Sequence, residues 1–230
     1  MPLIRPAIFR DRTDAGNALG RAVASVLTAR EAIVLGLPRG GVPVALGIAR
    51  TIGVPFDVFL VRKLGTPGHE ELAFGAIASG GIRVLYHDVV EGWQIEPDVI
   101  EEVAGEERAE LERRERIYRA GRSPLAVNNR LAILVDDGLA TGATMLAAIR
   151  AVRLLNPSGV MVAVPVAARE ALENVRRAAD EVVCLETPEP FCAVGAWYRR
   201  FDQVSDAEVC RLLAADSRAS FSGGPHPTRL

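Results

Sequence analysis

Short apolar runs alternate with amphipathic stretches along most of this chain. Ala15, Ala18, Leu19, Ala22, Val23, Val26 and Leu27 recur at i, i+3, i+4, i+7, i+8, i+11 and i+12. That spacing puts them on one face of a helix over about residues 14–29, which Thr13 or Asp14 can cap. The run 32–37 (AIVLGL) reads as a strand, followed by a glycine-rich turn. A second helix then opens with Pro43 in its first turn. Residues 57–63 (DVFLVRK) and 131–136 (LAILVD) are strand-like. Met145, Ala148, Ile149, Val152 and Leu155 mark a helix over 142–155 that Asn156-Pro157-Ser158-Gly159 stops. A strand at 160–166, a helix at 169–179 and a strand at 181–186 complete the series.

These five strands are continuous apolar runs rather than alternating ones, as expected of strands covered on both faces. The pattern predicts an α/β fold, a Rossmann-like, five-stranded, mostly parallel sheet flanked by helices. Ligands of such sheets bind beyond the carboxyl ends of the strands, so the turns after strands are where chemistry is to be sought.

Residues 64–125 interrupt the alternation. They hold a Gly/Pro-rich stretch read as an inserted flexible loop, a β-hairpin piece, and a charged segment with nine acids and six arginines between Glu96 and Arg122. That segment reads as a solvated helix with i,i+4 ion pairs. A single domain over 1–216 is expected, with the insert at 64–125, a C-terminal hood at 187–215 and a flexible tail at 217–230.

Composition narrows the function classes. Of 230 residues, 49% are hydrophobic and 24% charged, with 27 Lys+Arg against 29 Asp+Glu. That apolar fraction excludes an intrinsically disordered chain. No apolar run approaches the roughly 20 residues that span a bilayer, so no membrane partner is expected. The near-neutral balance argues against a nucleic-acid partner bound by phosphate neutralisation. The opening residues lack a signal-peptide core. Cys184, Cys192 and Cys210 are widely spaced and odd in number, which points to a reducing, cytoplasmic compartment.

The most informative stretch is Val135-Asp136-Asp137-Gly138-Leu139-Ala140-Thr141-Gly142-Ala143-Thr144. Two acids leave an apolar strand, a turn of small residues follows, and a helix begins at its far end. Small residues let several backbone N–H groups converge, and the helix N-terminus adds partial positive charge; together they suit a phosphate monoester. Thr141 and Thr144 can donate further hydrogen bonds. Asp136 and Asp137 can accept from sugar hydroxyls or hold magnesium.

This stretch resembles the motif that binds 5-phosphoribosyl 1-diphosphate (PRPP) in type I phosphoribosyltransferases, and is most similar to the adenine-type version, in which alanine also precedes the Thr-Gly pair. In the 6-oxopurine enzymes an acid stands where this chain has Ala140. The resemblance implies that Gly138 and Ala140, Thr141, Gly142, Ala143 and Thr144 hold the 5′-phosphate. Asp136 and Asp137 would hold the ribose hydroxyls and, with them, the Mg2+ cofactor.

Two further motifs fit. Gly36-Leu37-Pro38-Arg39-Gly40-Gly41 is neither a dinucleotide fingerprint nor a Walker A loop. It resembles the family's diphosphate loop, which assigns Arg39, Gly40 and Gly41 to PRPP and makes Pro38–Arg39 the peptide that is often cis. Val61-Arg62-Lys63-Leu64-Gly65-Thr66-Pro67-Gly68 resembles the start of the adenine-type catalytic loop. There Arg62 and Lys63, with Asp137, would act on the departing diphosphate. After the last strand, Phe191, Trp197 and Tyr198 are candidates for stacking on the base. No general base stands out, Glu70 or Glu71 being the candidates.

The resemblance thus implies a phosphoribosyltransferase of nucleotide metabolism and purine salvage. It would use PRPP and a nitrogenous base and release diphosphate, as a homo-oligomer. Two other readings use the same core: a non-catalytic PRPP- or nucleotide-binding regulator, and a hydrolase of phosphoribosyl compounds.

Overall fold

A computed structural model describes residues 7–29, 31–119, 122 and 125–220, with the side chains of 70, 71 and 216–220 left aside. Five strands form one parallel sheet in the order β2-β1-β6-β7-β8: β1 (Ala32–Gly36), β2 (Phe56–Val58), β6 (Leu131–Val135), β7 (Gly159–Val166) and β8 (Glu181–Glu186). From β1 the chain steps outward to β2, and from β6 it steps the other way to β7 and β8. The switch point therefore lies between β1 and β6.

Alternate residues of the same strands enter two different cores, so the strands read as continuous apolar runs. Val34, Ile133, Val135 and Met161 pack under α1 (Arg12–Val26) and α2 (Gly41–Ile52). Ile33, Leu35, Leu134 and Val162 pack under α5 (Ala143–Arg153) and α6 (Arg169–Ala178). Helices α1 and α2 touch backbone to backbone. A Cβ on Gly16 would lie 2.6 Å from the Val44 carbonyl oxygen, and one on Gly47 would lie 2.8 Å from the Gly16 carbonyl carbon. The cap of α1 is Asp11, whose side chain accepts from the Asp14 N–H, two to three residues before the expected cap.

The strand expected over 57–63 is two strands. β2 ends at Val58, Phe59 and Leu60 are buried, and β3 (Val61–Thr66) joins a separate antiparallel sheet with β4 (His69–Ala78) and β5 (Ile82–Leu85). The Leu60 N–H leaves the parallel ladder for the Ser79 hydroxyl (3.0 Å), and the Ser79 N–H returns to the Leu60 carbonyl (2.9 Å). The supposed flexible loop is thus a β-hairpin turning at Pro67-Gly68, with Gly68 at φ 76°. It rests on α5, where the Arg150 guanidinium lies 4.0 Å above the Tyr86 ring centroid.

After a short helix α3 (His87–Gly92), the charged segment forms α4 (Pro97–Tyr118). It is only partly solvated: Ile100, Ala104, Leu111 and Tyr118 are buried. Beyond its end, Arg119 and Arg122 reach the buried Asp57 of β2 at 2.7 and 3.4 Å. The C-terminal segment ends in α7 (Asp206–Ser220), which packs on α2 and α4. The expected tail is therefore helical as far as Ser220, and residues 221–230 lie outside the described ones. Among the described residues no helix is long and apolar enough to cross a membrane.

Asp57 also accepts from the Val58 N–H at 2.8 Å. Removing a buried carboxylate that holds cations costs about 3 kcal/mol or more. Asp57→Ala should lower unfolding free energy by that order in urea titration, and a loss below about 1 kcal/mol would show that the anchor of α4 lies elsewhere.

Candidate functional site

At the switch point two turns meet. The Leu37 N–H continues the ladder to the Val135 carbonyl at 2.9 Å. The Pro38–Arg39 peptide is cis, as the resemblance implied. A Cβ on Gly40 would lie 2.0 Å from Asp137 Oδ2, and one on Gly41 would lie 2.4 Å from the Val135 carbonyl oxygen. Only glycine fits at either position, because backbone of one turn lies against side chain and backbone of the other.

The turn after β6 is tied down at its middle. The Leu139 N–H donates to the Val166 carbonyl (2.9 Å), and the Ala168 N–H donates to the Leu139 carbonyl (2.8 Å). Beyond this clamp Ala140, Thr141 and Thr144 are exposed, and Gly142 adopts φ 76° to turn into α5. The Ala143 N–H makes a long contact to Thr141 Oγ1 at 3.4 Å. The N–H groups of Ala140, Thr141 and Gly142 have no acceptor among the described residues. Open donors at the positive end of a helix are the chemistry of an anion cradle.

The acid pair is held from behind. Arg12, the first residue of α1, donates through Nε to Asp137 Oδ2 at 2.8 Å and through its terminal nitrogen to the Asp202 carbonyl at 2.7 Å. Its guanidinium lies 3.8 Å over the Phe201 ring. The Tyr198 hydroxyl donates to the Asp137 carbonyl at 2.6 Å, and the Asp137 N–H donates to Asp136 Oδ1 at 2.8 Å. Burial and the charge of Asp137 push Asp136 well above the ordinary carboxylate range. Burial also raises Asp137, against the pull of the Arg12 guanidinium.

Arg62 and Lys63 do not end a strand; they open β3. With Glu106 and Glu107 of α4 and Thr144 of α5 they line a cleft of about 460 Å3. Arg62 is hydrogen-bonded to Glu107. Arg39 sits 3.7 Å from Asp206, which also accepts from the Tyr118 hydroxyl. The structure thus brings Thr144 and the Arg62–Lys63 pair to one cleft, with the Gly40 position of the Arg39 turn abutting Asp137.

Of the aromatic trio, Tyr198 meets the site through its hydroxyl alone. Trp197 and Tyr198 are buried at 7% and 5% exposure in a cluster with Phe9, Ala15 and Val166, and Phe191 is only packed against it. Trp197 and Tyr198 are packing residues in this conformation and present no open ring face for a base. The side chains of Glu70 and Glu71 lie outside the described residues.

Sequence reasoning missed Arg12, Glu107 and Asp206, which come from distant helices and carry no motif. The only available signal was for Glu107, a charge at an apolar helical position.

Two adjacent carboxyl groups, only one of them bonded to the Arg12 guanidinium, offer oxygen donors that suit a divalent cation. Among the described residues there is no group of three or more His, Cys, Asp or Glu to close a metal cage. A magnesium here would share its coordination with ligand oxygens.

Fold and turns together define an α/β protein whose candidate site sits at the switch point of a parallel sheet. The phosphoribosyl transferase domain matches residues 15–198, and the chain belongs to that family. It is 46% identical over 206 residues to two Mycobacterium tuberculosis proteins, from strains CDC 1551 / Oshkosh and ATCC 25618 / H37Rv. Each is provisionally named a phosphoribosyl transferase, and the match covers 90% of this chain. The chain spans about half the length of these relatives, 46% of each. The structure is also similar to that of TT1426 from Thermus thermophilus, with a TM-score of 0.84 and 44% identity over 90% of this chain and 98% of that one.

An acid whose pKa is raised by folding holds its proton more tightly in the folded chain than in the unfolded one. Stability then falls as pH rises above the ordinary carboxylate value of about 3.9. Asp136→Asn removes that loss and preserves an oxygen for the Asp137 N–H. The variant should melt above the wild type near pH 7, with the gain fading as pH is lowered toward about 4 and absent below it. A lower melting temperature at pH 7 would contradict the desolvated environment described for Asp136.

Proposed function

We propose that this chain transfers the 5-phosphoribosyl group of PRPP to a nitrogenous base and releases diphosphate. The observation that carries the reading is the meeting of three elements at one sheet edge. An open N–H cradle follows an acid pair, a glycine-lined arginine turn abuts that pair, and a cationic strand start shares a cleft with Thr144 just past the cradle.

The roles follow from charge and shape. The N–H groups of Ala140, Thr141 and Gly142 and the hydroxyls of Thr141 and Thr144 bind the 5′-phosphate. Asp136 and Asp137 accept from the ribose hydroxyls, with Arg12 and Tyr198 fixing Asp137 from behind. Gly40 and Gly41 let the Arg39 turn approach without side-chain obstruction. Arg39, Arg62 and Lys63 offset the charge that builds on the diphosphate as its bond to C1′ breaks. A base nitrogen forms the new bond to C1′ on the opposite face, and holding both partners in line supplies much of the acceleration. Magnesium, bound through Asp136, Asp137 and ligand oxygens, would supply further positive charge at the leaving group. Of the three rings first considered for the base, Phe191 is the most accessible.

Calorimetry with PRPP and magnesium tests this directly. The wild type should bind, and Asp136→Asn together with Asp137→Asn should weaken binding at least about tenfold, the scale of losing charge-assisted hydrogen bonds. Gly40→Ala, which drives a Cβ into Asp137, should also weaken it while the chain stays folded. A wild type that binds no PRPP overturns the reading. A panel of bases then follows diphosphate release: release with one base means transfer, release in water alone means hydrolysis, and none means sensing.

A further inference from the structure

The charged helix α4 has a regular seam that its composition conceals. Ile100, Ala104, Glu107, Leu111, Arg114 and Tyr118 follow each other at spacings of four, three, four, three and four residues, so they share one face. Four of the six are apolar or aromatic and buried. The remaining two are charged, half-buried, and flank Leu111. A charge in an apolar seam works against packing, and such local conflicts mark functional positions.

Both charged positions lie at or beside the cleft. Glu107 lines it and holds Arg62. Arg114 lines a small pocket of about 20 Å3 beside it, shared with Pro38, Arg62 and Thr144. That pocket and the wider cleft have Val61, Arg62 and Thr144 in common. The Tyr118 hydroxyl at the end of the seam shares Asp206 Oδ1 with Arg39. Guanidiniums from three separate elements therefore gather here: Arg62 at the start of β3 and Arg114 on α4 line the small pocket, and Arg39 follows Pro38, which lines it too. Each is paired in the free chain with one carboxylate, respectively Asp206, Glu107 and Glu110.

We propose that α4 is part of the anion site and that Arg114 is a third guanidinium for the diphosphate group. The inference rests on the PRPP reading and deepens it. A diphosphate carries several charges on closely spaced oxygens. Planar forks from different directions match that shape better than point charges do. Glu107 is a positioning residue that holds Arg62 at the small pocket.

The test compares three ligands on the full chain by calorimetry: PRPP with magnesium, inorganic diphosphate with magnesium, and ribose 5-phosphate. Arg114→Gln should weaken PRPP and diphosphate at least about tenfold and leave ribose 5-phosphate within about twofold, because the latter uses the Ala140–Thr144 cradle. Arg113→Gln is the control. Arg113 shares the partner Glu110 but lines neither pocket, and its variant should bind all three as wild type does. Equal binding by Arg114→Gln, or equal loss for all three ligands, overturns the role of Arg114. If the wild type binds PRPP in that outcome, the reading of the site still stands. A wild type that binds none of the three overturns both. Should Arg114→Gln fail to fold, Arg114→Lys keeps the stem and charge but lacks the fork. It should still weaken PRPP several-fold, and unchanged binding overturns the inference.

Discussion

The contact on which the rest depends is the backbone approach between the turn after β1 and the turn after β6. One hydrogen bond, from the Leu37 N–H to the Val135 carbonyl, carries the parallel ladder one residue past the strands. Gly40 and Gly41 then lie where any Cβ would collide with Asp137 or Val135. The approach places an arginine turn and an acid pair together at the point of the sheet where strand order reverses. It also removes water from Asp136 and Asp137, which shifts their protonation upward. Desolvated acids weaken the folded state, so the site sets stability against ligand binding, as functional sites commonly do.

Charge around the candidate site is matched rather than simply positive. Arg12 faces Asp137, Arg39 faces Asp206, and Arg62 faces Glu107. In the proposed reading, phosphate oxygens of the polyanion replace Asp206 and Glu107 as partners of Arg39 and Arg62, which those carboxylates hold in place beforehand. The array is assembled from α1, α4, α7 and the two turns. Asp57 ties the far end of α4 to β2, and α7 packs against both α2 and α4, which holds the array's helices in place.

The strand–helix alternation was legible because each element states its own periodicity: four of the five apolar runs and four amphipathic stretches lie within a few residues of the observed elements, and the fifth run, 57–63, splits between two sheets. The two turns were legible for a similar reason. Asp136 to Thr144 and Gly36 to Gly41 are contiguous, and their small residues permit what few other residues would. Where sequence and structure differ, the cause is shared. Residues 64–72 read as a loop because Gly65, Pro67 and Gly68 obscure a strand period; the pairing partner lies across a hairpin. Trp197 and Tyr198 read as ligand-facing because an aromatic cluster in sequence does not say which way its rings turn.

Local sequence therefore determined the sheet, the phosphate-type turn, the acid pair and the arginine turn, since these depend on short-range stereochemistry and on which residues tolerate it. Tertiary structure alone decided that Arg12 holds Asp137, that Glu107 holds Arg62, and that Arg114 lines the small pocket beside the cleft. Those pairings join residues tens of positions apart. Electrostatic attraction between side chains leaves no mark on the sequence around either partner until the fold has brought the two within a few ångströms.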